Sequence, residues 1–264
     1  MGTTPITLQQ LSRFPVKGLS AEPLDTITLT AGEGIPGDRL FGFARYDSGF
    51  DPANPQPLPK ENFVVLLNEA GLAGLETSFD ATAKRLTMRA GDQTHAFDMT
   101  DAADRADAAD WLSRILHLSD PQPPAFVSSE PHRFTDVSVI SPEMMNAISV
   151  LNLESLRAFE AHIGERVHPD RFRANLVIDG LPAYAELAAV GSVFTIGGVT
   201  LRIISRTKRC AATEVNPETA ERDLKLPYLL RKTLGHMDMG VYVEVVTGGT
   251  IRVGDTGEAG NIPS

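Results

Sequence analysis

The chain has 264 residues, 42% of them hydrophobic, which is enough apolar surface for one large domain or two small ones and excludes a disordered chain. Its 24 basic against 34 acidic side chains leave a net charge of −10, which argues against a nucleic-acid coat or a polybasic membrane anchor, so an anionic ligand needs a local basic cluster. The single cysteine, Cys210, excludes an intrachain disulfide, a four-cysteine zinc site and a cysteine-ligated iron–sulfur cluster.

In chain order, Met1-Gly2-Thr3-Thr4-Pro5 lacks a basic region followed by an apolar run, and no stretch approaches the roughly 18 apolar residues of a membrane span, so a cytoplasmic protein without a membrane span is expected. Short alternating runs predict strands over Ile6 to Phe14, Leu24 to Leu29 and Leu40 to Tyr46. A short helix is predicted around Leu66 to Leu75. Arg85 to Met88 and His95 to Met99 flank Gly91-Asp92 and predict a hairpin. Thr100 is the expected N-cap of a helix with Ala108, Leu112, Ile115 and Leu116 at helical spacing. Asp120-Pro121-Gln122-Pro123-Pro124 reads as a stiff linker.

Beyond it, Val137 to Ile140 reads as a strand, and Ser141-Pro142-Glu143 as a capped helix start. Asn152 caps a second helix carrying Leu156, Phe159 and Ile163, which Gly164 stops. Strands are predicted at Leu176 to Ile178 and in a hairpin of Val193 to Ile196 with Val199 to Ile203 around Gly197-Gly198. A helix near Leu224 to Leu234 precedes another expected hairpin, Val241 to Val246 with Thr250 to Val253 around Gly248-Gly249.

Several patterns have ordinary explanations. Gly32-Glu33-Gly34-Ile35-Pro36-Gly37 matches a dinucleotide fingerprint by letter, but the strand-like Arg39-Leu40-Phe41-Gly42-Phe43 follows where a helix would be required. Asp101, Asp104, Asp107 and Asp110 recur too widely for a calcium loop and read as a solvated helix face. The six histidines include no close pair.

Basic and turn residues concentrate at strand ends in Phe14-Pro15-Val16-Lys17-Gly18, Gly37-Asp38-Arg39, Asp170-Arg171-Phe172-Arg173-Ala174-Asn175 and Arg206-Thr207-Lys208-Arg209-Cys210. Loop cations with open backbone amides suit an anion, because arginine offers bidentate donors. Lys208 and Arg209 precede Cys210, and adjacent positive charge favours a thiolate that attacks electrophiles or ligates a soft metal. The competing reading is a buried, inert cysteine.

Together with Glu61-Asn62-Phe63, Leu176-Val177-Ile178, Ala211-Ala212-Thr213-Glu214-Val215-Asn216-Pro217 and Gly249-Thr250-Ile251-Arg252-Val253-Gly254-Asp255, these strings resemble the MOSC family (molybdenum cofactor sulfurase C-terminal domain) with its N-terminal partner. Within it they are most similar to the amidoxime-reducing component and its bacterial relatives. Gly18 replaces the usual serine and Ala174 the usual proline. The resemblance implies a mainly β, α+β fold: an N-terminal β-barrel-like domain over residues 1–120 and a MOSC β-barrel over 121–264, sharing a cleft for molybdenum–molybdopterin. By position it makes Cys210 the metal ligand and catalytic group, and Lys17, Gly18, Arg39, Arg173, Asn175, Arg209 and Tyr242 the cofactor-binding set. It implies reduction of a small N-hydroxylated or N-oxide substrate, with electrons from a separate reductase or ferredoxin-type protein. No nucleic-acid partner is expected. The alternative is a carrier of the cofactor, or of sulfur as a Cys210 persulfide. A pyridoxal phosphate enzyme would need a Schiff-base lysine, for which only Lys17 and Lys208 stand in matched strings.

Overall fold

A computed structural model describes residues 4–128 and 132–260. The first part carries β1 (Thr4–Arg13), β2 (Glu22–Pro23), β3 (Thr26–Leu29), β4 (Phe41–Ala44), β5 (Glu76–Asp80), β6 (Arg85–Ala90), β7 (Gln93–Asp98), α1 (Ala102–Leu116) and β8 (Ala125–Ser128). The second carries α2 (Pro142–Met145), β9 (Ile148–Asn152), α3 (Leu153–Ile163), β10 (Leu176–Asp179), α4 (Ala185–Ala188), β11 (Val193–Ile196), β12 (Val199–Lys208), α5 (Leu226–Leu234), β13 (Asp238–Thr247), β14 (Gly249–Arg252) and β15 (Thr256–Ala259). Among the described residues no helix is long and apolar enough to cross a membrane.

Strands β10-β9-β13-β12-β11-β15-β1 pair in that order, and the β1–β10 pairing closes them into a seven-stranded barrel within an α+β fold. Strand alternation explains its filling: Val199, Leu201 and Ile203 of β12 and Val241, Val243 and Val245 of β13 point inward to meet Ile6 and Leu8 of β1. The opposite faces of β9 and β10 present Leu151 and Val177 to Phe159 of α3 and Leu230 of α5. A separate core joins Phe43, Leu72, Phe79, Leu86, Met88, Trp111 and Leu112 under the β5-β6-β7 sheet and α1.

The chain crosses the boundary expected at residue 120 in both directions. β1 is a barrel strand, whereas β8, after the proline-rich stretch, returns to pair antiparallel with β4. The 85–98 hairpin forms as expected, as do the 193–203 hairpin and α3 with its Asn152 and Gly164 caps.

Four local expectations need correction. Asp101, not Thr100, caps α1, its carboxylate accepting from the Ala103 and Asp104 amides. The 66–75 segment forms only a 3₁₀ turn at Ala70–Gly74, where two glycines disfavour an α-helix. Residues 137–140 form a turn closed by Ile140 N donating to Val137 O at 3.0 Å. Beyond Gly248, β14 pairs with β3 rather than folding back on β13, so Ile251 enters the barrel core beside Leu29.

Candidate functional site

A cleft of about 390 Å³ opens between the barrel's end and the N-terminal part. It is lined by all eight residues expected to share a site: Lys17, Gly18, Arg39, Arg173, Asn175, Arg209, Cys210 and Tyr242. Local folding explains the convergence. The β12–β13 ladder shifts register between Ile203 and Ser205 and between Arg206 and Lys208, irregularities of the kind that bend and twist a strand, just ahead of Cys210. Cys210 then caps the 3₁₀ turn Ala211–Glu214, its carbonyl accepting from Thr213 N at 3.1 Å and Thr213 Oγ1 at 2.9 Å. Val241 and Val243 point into the barrel, so Tyr242 between them faces outward to the cleft.

Arg39 and Arg173 share one construction. Both have left-handed backbone, φ 50° and 49°, a conformation costing a non-glycine residue about 1–2 kcal/mol. Both guanidiniums lie over the Phe14 ring, at 4.6 and 4.3 Å. Arg39 pairs with Asp38 at 2.5 Å, and Arg173 donates to Leu19 O at 2.7 Å. Burial and then the repulsion of Arg39 lower the Arg173 pKa to about 10. For Arg39 burial acts in the same direction, but Asp38 outweighs it and the net shift is upward.

Asn175 is a hub rather than an open ligand. Its Oδ1 accepts from Ser149 Oγ at 2.7 Å and Arg39 Nη1 at 3.4 Å, while Nδ2 donates to Ser12 O at 3.2 Å and Asp38 Oδ1 at 3.1 Å. Arg209 is likewise committed, donating from Nε to Met239 O at 2.8 Å and from Nη1 to Phe172 O at 2.9 Å. Burial lowers its pKa to about 10. Its Nη2 is buried without a hydrogen-bond partner among the described residues. At Gly18, with φ +85°, a Cβ would run into the Val64 carbonyl, so glycine is required at this position.

Two residues absent from the expected set complete the site. Lys60, in the 3₁₀ turn Lys60–Asn62, places Nζ 3.1 Å from Cys210 Sγ. Asp136 receives Lys17 Nζ at 2.5 Å and lies 3.7 Å from Lys60 Nζ. Partial desolvation against the cleft wall favours neutral Asp136, although half of its side chain stays open to solvent, and Lys17 and Lys60 outweigh it and hold the carboxyl well below the usual range. Burial lowers the Lys17 pKa against the pull of Asp136. At Lys60 burial is overcome by Asp136 and Cys210, and the pKa rises. Lys208, expected to act on the thiol, is exposed, and the Nε and Nη1 groups of Arg209 are spent on carbonyls, so Lys60 is the cation on the sulfur. Only its place beside Glu61-Asn62-Phe63 could have signalled it.

Six buried or half-buried cations, Lys17, Arg39, Lys60, Arg171, Arg173 and Arg209, line the cleft and are set against three carboxylates, Asp38, Asp136 and Asp223, the last paired with Arg171. The cleft interior therefore carries a surplus of three positive charges, and Arg173 and Arg209 have only backbone carbonyls as hydrogen-bond acceptors among the described residues. Such a surplus, with an orphaned Arg209 Nη2, fits a multiply charged anion such as a phosphate ester. Among the described residues no group of three or more His, Cys, Asp or Glu side chains could hold a metal ion, so a metal at Cys210 would draw its other ligands from a bound organic group.

The chain has relatives among known proteins. It is 25% identical to mitochondrial amidoxime-reducing component 1 of Mus musculus over 281 residues, covering 94% of this chain and 81% of that protein. It is 35% identical to the molybdenum cofactor sulfurase of Drosophila yakuba over 97 residues, 36% of this chain and 12% of that protein. Among solved structures, the YuaD protein from Bacillus subtilis matches with a TM-score of 0.44 and 15% identity, covering 97% of this chain and 96% of that one. The MOSC domain family matches residues 116–258, more than half of the chain, and to that family the protein belongs.

Proposed function

We propose that the cleft binds the molybdenum cofactor with Cys210 as the metal's protein ligand. On this reading the protein is a cytoplasmic oxidoreductase that reduces small N-hydroxylated or N-oxide substrates, with electrons from a separate reductase or ferredoxin-type donor. The observation that carries the reading is the meeting of one half-buried thiol with three uncompensated positive charges in a single cleft. When bound, the cofactor supplies the two-electron redox change and the acceptor for the substrate's oxygen.

The chain's own residues bind and orient. Arg39 and Arg173, fixed against Phe14, would hold the phosphate of the bound cofactor, and Asn175 keeps Arg39 and Asp38 in place. Arg209 ties the Cys210 strand end to Phe172 and Met239, which sets where the sulfur sits. Lys17 and Asp136 hold charge at one wall, while Leu66, Val137 and Ile140 offer an apolar lip to a substrate's body. We further propose that segments 1–120 and 121–264 work as two units around this cleft, the first lending β1 to the barrel of the second.

The test is molybdenum and pterin content of protein from a cofactor-competent host, with N-oxide reduction measured using an artificial electron donor. About one molybdenum per chain and turnover are expected, since one cysteine supplies one protein ligand. Metal-free protein from such a host overturns the reading. The match to the molybdenum cofactor sulfurase favours a second reading, a sulfur or cofactor carrier. Transfer from Cys210 to an acceptor apoprotein without N-oxide turnover would select it.

A further inference from the structure

We propose that Lys60 is a positioning residue for Cys210: its ammonium holds the sulfur by an N–H···S hydrogen bond and, with the cofactor bound, draws charge from the sulfur and raises the metal's reduction potential. The second half rests on the reading of the cleft given above.

Lys60 and Cys210 lie 150 residues apart in sequence, yet Nζ and Sγ are 3.1 Å apart. The lysine is not a loose surface side chain, being 23% exposed and braced by Asp136, which in turn accepts from buried Lys17. Its backbone is fixed as well. Phe63 N donates to Lys60 O at 3.0 Å, and the Phe63 ring packs on Phe134 with centroids 5.3 Å apart. A few residues on, Arg222 clamps the same segment to the cysteine's turn, donating to Leu66 O at 2.8 Å, Leu67 O at 2.7 Å and Ala211 O at 2.6 Å.

The N-terminal part is thereby held in register with the Cys210 turn at two points, one of which ends on the sulfur. Hydrogen bonds and positive charge at a ligand sulfur stabilise the more electron-rich state of the metal, so their removal lowers its potential.

Two measurements test this. In cofactor-free protein, the alkylation rate of Cys210 is measured with anionic iodoacetate and with neutral iodoacetamide. Their ratio cancels the fraction of reactive sulfur and reports local charge. Lys60→Met should lower the ratio roughly 3- to 10-fold, as expected for a unit charge about 5 Å away, while Lys60→Arg and Lys208→Met stay within about twofold of wild type. An unchanged ratio in Lys60→Met overturns the proposal, and Lys60→Gln replaces that variant if it does not fold. In loaded protein, the midpoint potential of Lys60→Met should move negative and that of Lys60→Arg should stay near wild type. An unmoved potential overturns the tuning role. Failure to take up molybdenum at all overturns the cleft reading and the tuning role with it, and the alkylation ratio then decides the Lys60–Cys210 contact alone.

Discussion

Lys17 Nζ lies 2.5 Å from Asp136 Oδ1, across 119 residues of sequence, with the lysine buried and the carboxylate half open to solvent. Among the described residues the buried ammonium keeps one hydrogen-bond acceptor, Phe134 O at 2.9 Å, when that carboxylate is removed or neutralised. This pair sets the acid limit of the site. Because the Asp136 pKa is depressed on folding, its contribution is present in full above the unfolded value of about 4 and is lost as pH falls through the folded value. The melting-temperature gap between wild type and Asp136→Asn should stay level from about pH 8 to about pH 5 and narrow below about pH 4. Melts across that range check it, and a gap that stays constant to about pH 3 contradicts it.

Arg173→Ala should weaken retention of the pterin. Its guanidinium has one backbone acceptor, Leu19 O, and its pKa is held down to about 10 by burial and then Arg39, so a phosphate would relieve an existing cost. A charge-assisted hydrogen bond in such a cleft is worth about 1.5–3 kcal/mol, roughly a 10- to 150-fold loss of affinity. Arg252→Ala, exposed on β14, is the control. Pterin occupancy under limiting cofactor is the readout, and equal occupancy in all three proteins would make Arg173 purely structural.

Asn175→Leu should cost stability before it costs chemistry. Leucine keeps the branching of the amide but is bulkier, and it strips the acceptor from Ser149 Oγ and Ser149 N and the donor from Ser12 O and Asp38 Oδ1, all in the interior. Buried groups left unsatisfied cost about 1–3 kcal/mol each, so a loss of about 2–5 kcal/mol is expected by denaturant unfolding. A loss below about 1 kcal/mol would show that the groups left behind find other partners.

The site's membership was legible where chemistry and local sequence coincide, and illegible where it depends on distant packing. Arg39, Arg173 and Cys210 stand in strings that carry turn and charge signals of their own. Lys60 has no such signal, because it acts only where the fold brings it to Cys210. Asp136 adjoins a segment whose Val137, Val139 and Ile140 imitate a strand, yet a turn there puts the carboxylate between two lysines. Barrel strands with strict alternation, such as 199–203, were readable for the same reason that α3 was: period and caps are local. The β14–β3 pairing was not, since Gly248-Gly249 offers a hairpin that the Leu29 and Ile251 side chains, meeting in the barrel core, override.

Cys210→Ala should separate the metal's protein ligand from the groups that hold the organic part. The 3₁₀ turn after Cys210 is closed by bonds to its carbonyl from Thr213 N and Oγ1, which alanine retains. Removing one half-buried sulfur costs about 1–2 kcal/mol, well inside a typical margin of roughly 5–15 kcal/mol, so the variant should fold. Arg39 and Arg173 are untouched, so pterin should remain measurable while N-oxide reduction falls by a large factor, because the thiolate sets both the coordination sphere and the potential of the metal. Melting temperature, pterin fluorescence after oxidation and activity with an artificial donor are read on the same sample. Wild-type activity in folded, pterin-loaded Cys210→Ala would remove the cysteine from the mechanism, and loss of folding together with pterin would make it a packing residue.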